Sequence, residues 1–188
     1  EVERSSTYHL LARLWLSEVD RNLLDHLTSP PLRDAFTAAG GVLPPADADE
    51  AIEQLAVDYC QLFVGPKNHL PPFQSVWQTG QLSGKPIDSM RQLIDISGYD
   101  VSNTPSSTML DHLGLQLDIM GHILAQLSLS SSETNQWTEI SHLANHFFAT
   151  HLQWSTELVA AASKRATTEF YRSAILMTGD FLASEVLE

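Results

Sequence analysis

Apolar residues recur along this chain at the spacing of an α-helix. Tyr8, Leu11, Ala12, Trp15 and Val19 stand at i, i+3, i+4, i+7 and i+11, which gathers them on one helical face. Pro30-Pro31, Gly40-Gly41 and Pro44-Pro45 then punctuate the chain, leaving room for a short helix over 31–39. Ile52, Leu55, Ala56, Tyr59, Leu62 and Phe63 line one face of a helix expected over about 48–63, with Asp47, Asp49 and Glu50 at its positive N-terminal end. Gly65-Pro66 stops it, and a proline-rich loop covers 66–74.

Pro86 can open a helix at its first turn, carrying Ile87, Met90, Leu93 and Ile94 to an end at Gly98. Thr104-Pro105 is positioned to start the next, which runs to about Leu127 with a stripe of Leu110, Leu113, Leu117, Met120, Leu124 and Leu127. A Ser130-x-x-Glu133 capping box precedes a helix in which Ile140, Leu143, Phe147 and Phe148 point largely one way. A shorter helix over 151–163 and a last one with Phe170, Ala174, Met177 and Phe181 in register complete the series. No convincing period-2 pattern interrupts it, so the fold class is all-α, a single-domain helical bundle over residues 1–188.

Composition excludes more than it assigns. At 188 residues, 43% hydrophobic and 18% charged, the chain is ordinary for a globular protein and long enough for a substantial core. No stretch approaches the ~20 apolar residues of a membrane span, so direct membrane insertion is not expected. A formal charge of −13 argues against nucleic acid as partner and would attract a cationic one, although acidity also serves solubility alone. Cys60 is the single cysteine, which weakly favours a cytoplasmic location; no cation or helix start beside it would activate its thiol, and it reads as a small packing residue.

Catalytic motifs are missing. There is no GxxxxGK[ST], no GxGxxG after a strand and no GxSxG, so the chain does not read as an enzyme and no cofactor is expected. His142 and His146 form an i,i+4 pair that could ligate zinc or iron, yet Leu143 stands where an HExxH hydrolase carries its base. A metal-dependent helical enzyme on that pair is the alternative from the enzyme class; a helical interaction module without a precursor client is another. Asp111, Asp118 and His122 fall together on a helical wheel away from the leucine stripe, either as a solvated face or as a polar site flanking a groove, with Asp111 and His112 near its opening.

Two blocks carry a resemblance. The run Tyr59-Cys-Gln-Leu-Phe-Val-Gly-Pro66, followed by Pro71-Pro72-Phe-Gln-Ser75-Val-Trp77, resembles the YxxLFxGP…PPxESVY block of the TorD/DmsD/NarJ chaperones. Leu110-Asp111-His112-Leu113 through Met120 resembles that family's PDHLxxELxFM, and His151-Leu-Gln-Trp154 with Glu169-Phe170-Tyr171 resembles its HLxxW…pFY ending. The chain departs from the pattern at Gln74 and Gln116, where the family commonly has Glu, and at Leu110, where it has Pro.

The resemblance implies a cytoplasmic helical chaperone that binds the N-terminal, typically twin-arginine, leader or the apo-form of a molybdenum-containing oxidoreductase and assists its maturation before export. It implies peptide-binding residues at Tyr59, Phe63, Gly65, Pro66, Pro72, Ser75, Trp77, Asp111, His112, Trp15 and Asp118. It also implies that relatives exchange helices to form homodimers, for which 98–107 is a candidate hinge. Each of these aromatics lies on or beside an apolar helical face and is first a core residue.

Overall fold

The computed structural model describes residues 1–45, 48–104, 108–132 and 134–185. Among the described residues there are ten α-helices: α1 Val2–Leu16, α2 Arg21–Thr28, α3 Leu32–Ala38, α4 Ala48–Tyr59, α5 Gln74–Thr79, α6 Lys85–Ser97, α7 Leu113–Leu129, α8 Asn135–His151, α9 Ser155–Arg165 and α10 Glu169–Glu185. Among the described residues there is no strand; one isolated antiparallel bridge joins Phe73 to His112. No described helix is long and apolar enough to cross a membrane.

The helices gather into two compact units. The first comprises Glu1–Leu16 and Pro72–Ser155, the second Ser17–Pro71 and Thr156–Glu188. In the first, α7 is the central element. Leu113, Leu115, Leu117, Ile119, Met120, Ile123, Leu124 and Leu127 are all buried, so the apolar positions run around the helix instead of along one stripe. Helices α1, α6 and α8 pack on it. Gly114 marks the closest approach of α1, since a Cβ there would lie 2.9 Å from the Leu16 backbone nitrogen.

In the second unit, Phe36 stacks on Phe170 at 5.8 Å, and Tyr59 contacts Phe63 at 5.3 Å and Tyr171 at 5.9 Å. Buried Asp58 accepts the N–H groups of Thr167 at 3.0 Å and Thr168 at 2.8 Å and the Thr168 hydroxyl at 2.6 Å. That carboxylate satisfies donors that would otherwise be left over at the start of α10.

Several boundaries differ from expectation for identifiable reasons. α2 starts where the Asp20 side chain accepts from Leu23 N–H; its eight residues are too few to register as a periodic pattern. The helix over 48–63 divides, because Gly65 N–H bonds Cys60 O at 2.7 Å and closes a π-helical turn over Cys60–Val64. Cys60 is exposed there and is not a packing residue. α7 begins at Leu113, eight residues after Pro105, so Leu110 and Asp111 precede the helix. Val19 is buried beyond the end of α1. On α8, Ala144 is buried and Leu143 only half-buried; on α10, Met177 and Phe181 are half-buried while Ile175, Thr178 and Leu182 face the core. The cap of α8 is Thr134, whose hydroxyl accepts from Trp137 N–H. Asp47, Pro105 and Glu133, and residues 105–107 of the candidate hinge, lie outside the described residues. Pro86 in the first turn of α6 and Gly98 with φ +66° at its end stand where expected.

Candidate functional site

The Pro72–Trp77 part of the first block and the start of the second meet at main-chain level in the first unit. Gln74 N–H donates to Asp111 O at 3.0 Å and Leu113 N–H to Pro72 O at 2.8 Å, and between them the rings of Phe73 and His112 meet edge to face at 5.3 Å. Asp111 Oδ2 accepts the Ser75 N–H at 2.8 Å and so satisfies an orphan donor at the start of α5. His112 caps α7: its Nδ1 accepts from Gly114 N–H at 3.0 Å, which requires the ring proton to sit on Nε2. Burial pushes the His112 pKa down to about 4, consistent with that neutral form.

Asp111 is 0% and His112 7% exposed. The expectation that they stand at the mouth of an open groove is therefore not what this conformation presents; both lie beneath the surface. Asp111 Oδ1 and Ser75 Oγ are buried and have no hydrogen-bond partner among the described residues.

Behind this knot runs a neutral polar network. Gln74 Oε1 accepts from Gln116 Nε2 at 2.7 Å and from His151 Nδ1 at 2.8 Å, while Gln74 Nε2 donates to Thr150 O at 2.7 Å. With Nδ1 donating, His151 Nε2 is left to accept from the Ser89 hydroxyl at 2.9 Å. Burial, and then the charge of His146, hold His151 down to a pKa of about 4. Trp154 Nε1–H closes the network on Gln116 Oε1 at 2.9 Å. Gln74 and Gln116 are 2% and 0% exposed, so two carboxylates at these positions would have to be buried side by side. The amides at the two departures fit an interior without charge.

The remaining expected residues divide. Pro72 is buried and Trp77 half-buried in the same segment as Ser75, and Trp15 is buried on α1. Asp118 belongs to another cluster: it accepts from His9 Nδ1 at 2.7 Å and from the Tyr99 hydroxyl. Burial works to raise its pKa, but the hydrogen bonds from His9 and Tyr99 prevail and lower it. Tyr59, Phe63, Gly65 and Pro66 lie in the second unit, the two aromatics in its core and Pro66 at its surface. His142 and His146 are exposed, and among the described residues no group of three or more His, Cys, Asp or Glu side chains could hold a metal ion. Sequence reasoning missed Ser89, Thr150, His9 and Tyr99, whose partners are brought in only by tertiary packing.

Comparison with known proteins identifies the family. Residues 22–160 match the family described as nitrate reductase delta subunit. The chain is 31% identical over 159 residues to the chaperone protein TorD of Shewanella sp. (strain ANA-3), covering 71% of this chain and 75% of that protein. It is 27% identical over 207 residues to the TorD chaperone of Shewanella pealeana, covering 97% and 87% of the two chains. The TorD chaperone of Vibrio vulnificus (strain CMCP6) is 25% identical over 197 residues, covering 92% and 88%. No solved structure matches. The chain thus belongs to the nitrate reductase delta subunit family and is one of its TorD-like chaperones.

Proposed function

We propose that this chaperone acts in the cytoplasm on a molybdenum-containing oxidoreductase, binding the N-terminal, twin-arginine leader of the precursor before export. What supports this reading is the knot at Ser75, Asp111 and His112. It joins the two family blocks and keeps one carboxylate oxygen and one hydroxyl buried without partners. A buried acceptor without a donor is costly, and a guanidinium is the kind of group that would relieve it. Phe73, Trp77, Met109 and Leu110 are half-buried around that segment and offer apolar contact to the rest of a leader. Because Asp111 is fully buried, an arginine reaches it only as residues 108–112 ahead of α7 move aside; with Asp111 buried it is a positioning residue.

Titration calorimetry of the full chain with synthetic twin-arginine leaders tests the reading. Binding on the order of micromolar is expected, since ordering a flexible peptide offsets much of its apolar burial. A chain that binds none of the leaders or apo-enzymes of its own organism is not a leader chaperone.

A further inference from the structure

The second unit contains a cavity that the leader reading does not use. Its volume is about 330 Å³, near the lower end of the roughly 300–1,000 Å³ of ligand sites, with space for one or two side chains but not for a large cofactor. Buried Ala51, Leu55 and Phe170 contribute its apolar lining, and Val42, Leu43, Pro44 and Pro45 form a wall along which Val42 is 45% exposed. Gln54, Thr167 and Thr168 line both this cavity and an adjoining depression, where Glu50, Glu53 and the 51%-exposed Val57 complete the lining.

Hydrogen bonds tie both walls to the rest of the unit. Val42 N–H is held by Ser173 Oγ at 2.9 Å, and Asp58 clamps Thr167 and Thr168. Among the described residues no lysine or arginine lines either depression; Glu169 is paired with Arg172, and Glu50 and Glu53 carry the lining charge for which the described residues show no ion pair.

We propose that this groove is a second peptide-docking site, independent of the Asp111 knot, that takes a short segment of a protein partner in which an apolar side chain is flanked by lysine or arginine. The apolar side chain fills the cavity over Leu55 and Phe170, and the flanking cation lies against Glu50 and Glu53. A preformed cavity lowers the ordering cost that otherwise weakens peptide binding.

The test is fluorescence anisotropy on the full chain with a dye-labelled octapeptide of alternating leucine and lysine. Saturable one-to-one binding is expected, with octapeptides of leucine–glutamate and of serine–lysine at least tenfold weaker. Val42→Asn, at an exposed position, and the double variant Glu50→Lys/Glu53→Lys should each weaken binding at least tenfold without lowering Tm. The control pair Asp25→Lys/Glu157→Lys, on exposed positions elsewhere in the same unit, should change it less than threefold. Equal weakening by the control pair would reduce the effect to net charge and overturn the proposal. Loss on Asp111→Asn but not on Val42→Asn would move the peptide to the knot, overturning this site while leaving the leader reading standing. Self-association in sedimentation that Val42→Asn abolishes would make the occupant a second copy and overturn it as well.

Discussion

The Asp111 carboxylate accepts the main-chain N–H of Ser75 at 2.8 Å across 36 residues of sequence. One oxygen of that carboxylate is thereby committed to holding α5 in place, and the other is not committed. Asp111→Asn keeps an oxygen for Ser75 and removes the charge, whereas Asp111→Ala leaves a buried N–H unsatisfied. The alanine variant is expected to lose about 1–3 kcal/mol in urea unfolding. The asparagine variant should lose less than half of that and still bind a twin-arginine leader at least tenfold more weakly in calorimetry. Equal leader affinity for Asp111→Asn and the parent chain would confine Asp111 to a structural role.

Acid should destabilise the chain through two histidines. His112 and His151 are both held neutral, at a pKa of about 4 against an ordinary 6.5. Between those values the unfolded chain binds more protons than the folded one, so their contribution is fully present above about pH 6.5 and is lost as pH falls toward 4. His112→Asn supplies a side-chain oxygen to the α7 cap and cannot titrate. It should flatten the fall of unfolding free energy over this window by up to about one proton's worth of slope. An unchanged slope in urea titrations at pH 7, 6, 5 and 4 would contradict the assignment.

Introducing acids in place of the two buried amides should harm this chain. In Gln116→Glu the donor to Gln74 Oε1 disappears and two acceptors face each other at the present 2.7 Å contact. The expected loss is about 1–3 kcal/mol. In Gln74→Glu a negative charge would sit beside His151 Nδ1, and the His151 pKa, followed by NMR, should rise clearly above its present value. A Gln116→Glu variant as stable as its parent would mean that the network rearranges freely.

Two glycines on α7 should respond differently to alanine. A Cβ at Gly114 meets Leu16 Cγ at 2.7 Å, its backbone nitrogen at 2.9 Å and Ala12 O at 3.1 Å, so α1 itself would have to move. The expected cost is about 1–3 kcal/mol. At Gly121 the contact is the His9 ring at 2.8 Å, a half-exposed side chain that can swing away at the loss of its bond to Asp118, so Gly121→Ala should cost less, about 1 kcal/mol. Thermal melts that rank the two the other way would contradict the packing.

What could be read before the fold was known follows from the range over which each signal acts. Pro86 and Gly98 bracket α6 because their constraints are local, and the apolar spacing of α1 and α4 survives tertiary context. α7 starts later than its sequence suggests because a histidine caps it, while a Thr-Pro pair upstream offers a more familiar start. The knot itself was half legible. Motif order placed Ser75, Asp111 and His112 in one functional set, but spacing carries no information that Gln74 meets Gln116, 42 residues on, or His151, 77 residues on. Burial of Asp111 was equally hidden, since a charged residue in a loop reads as solvated.

The interleaving of the two units bears on how the chain is made. All residues of the first unit have been synthesised once Ser155 has been added, whereas the second still lacks Phe170 and Tyr171, which its core requires, and the Thr167-Thr168 turn that Asp58 must hold. The half that carries the Asp111 knot is thus complete in sequence while the half with the acidic groove waits for α10. A chain released after residue 155 should protect α7 amides from hydrogen exchange while those of α4 exchange freely; the opposite pattern would show that α4 does not depend on the late arrival of α10.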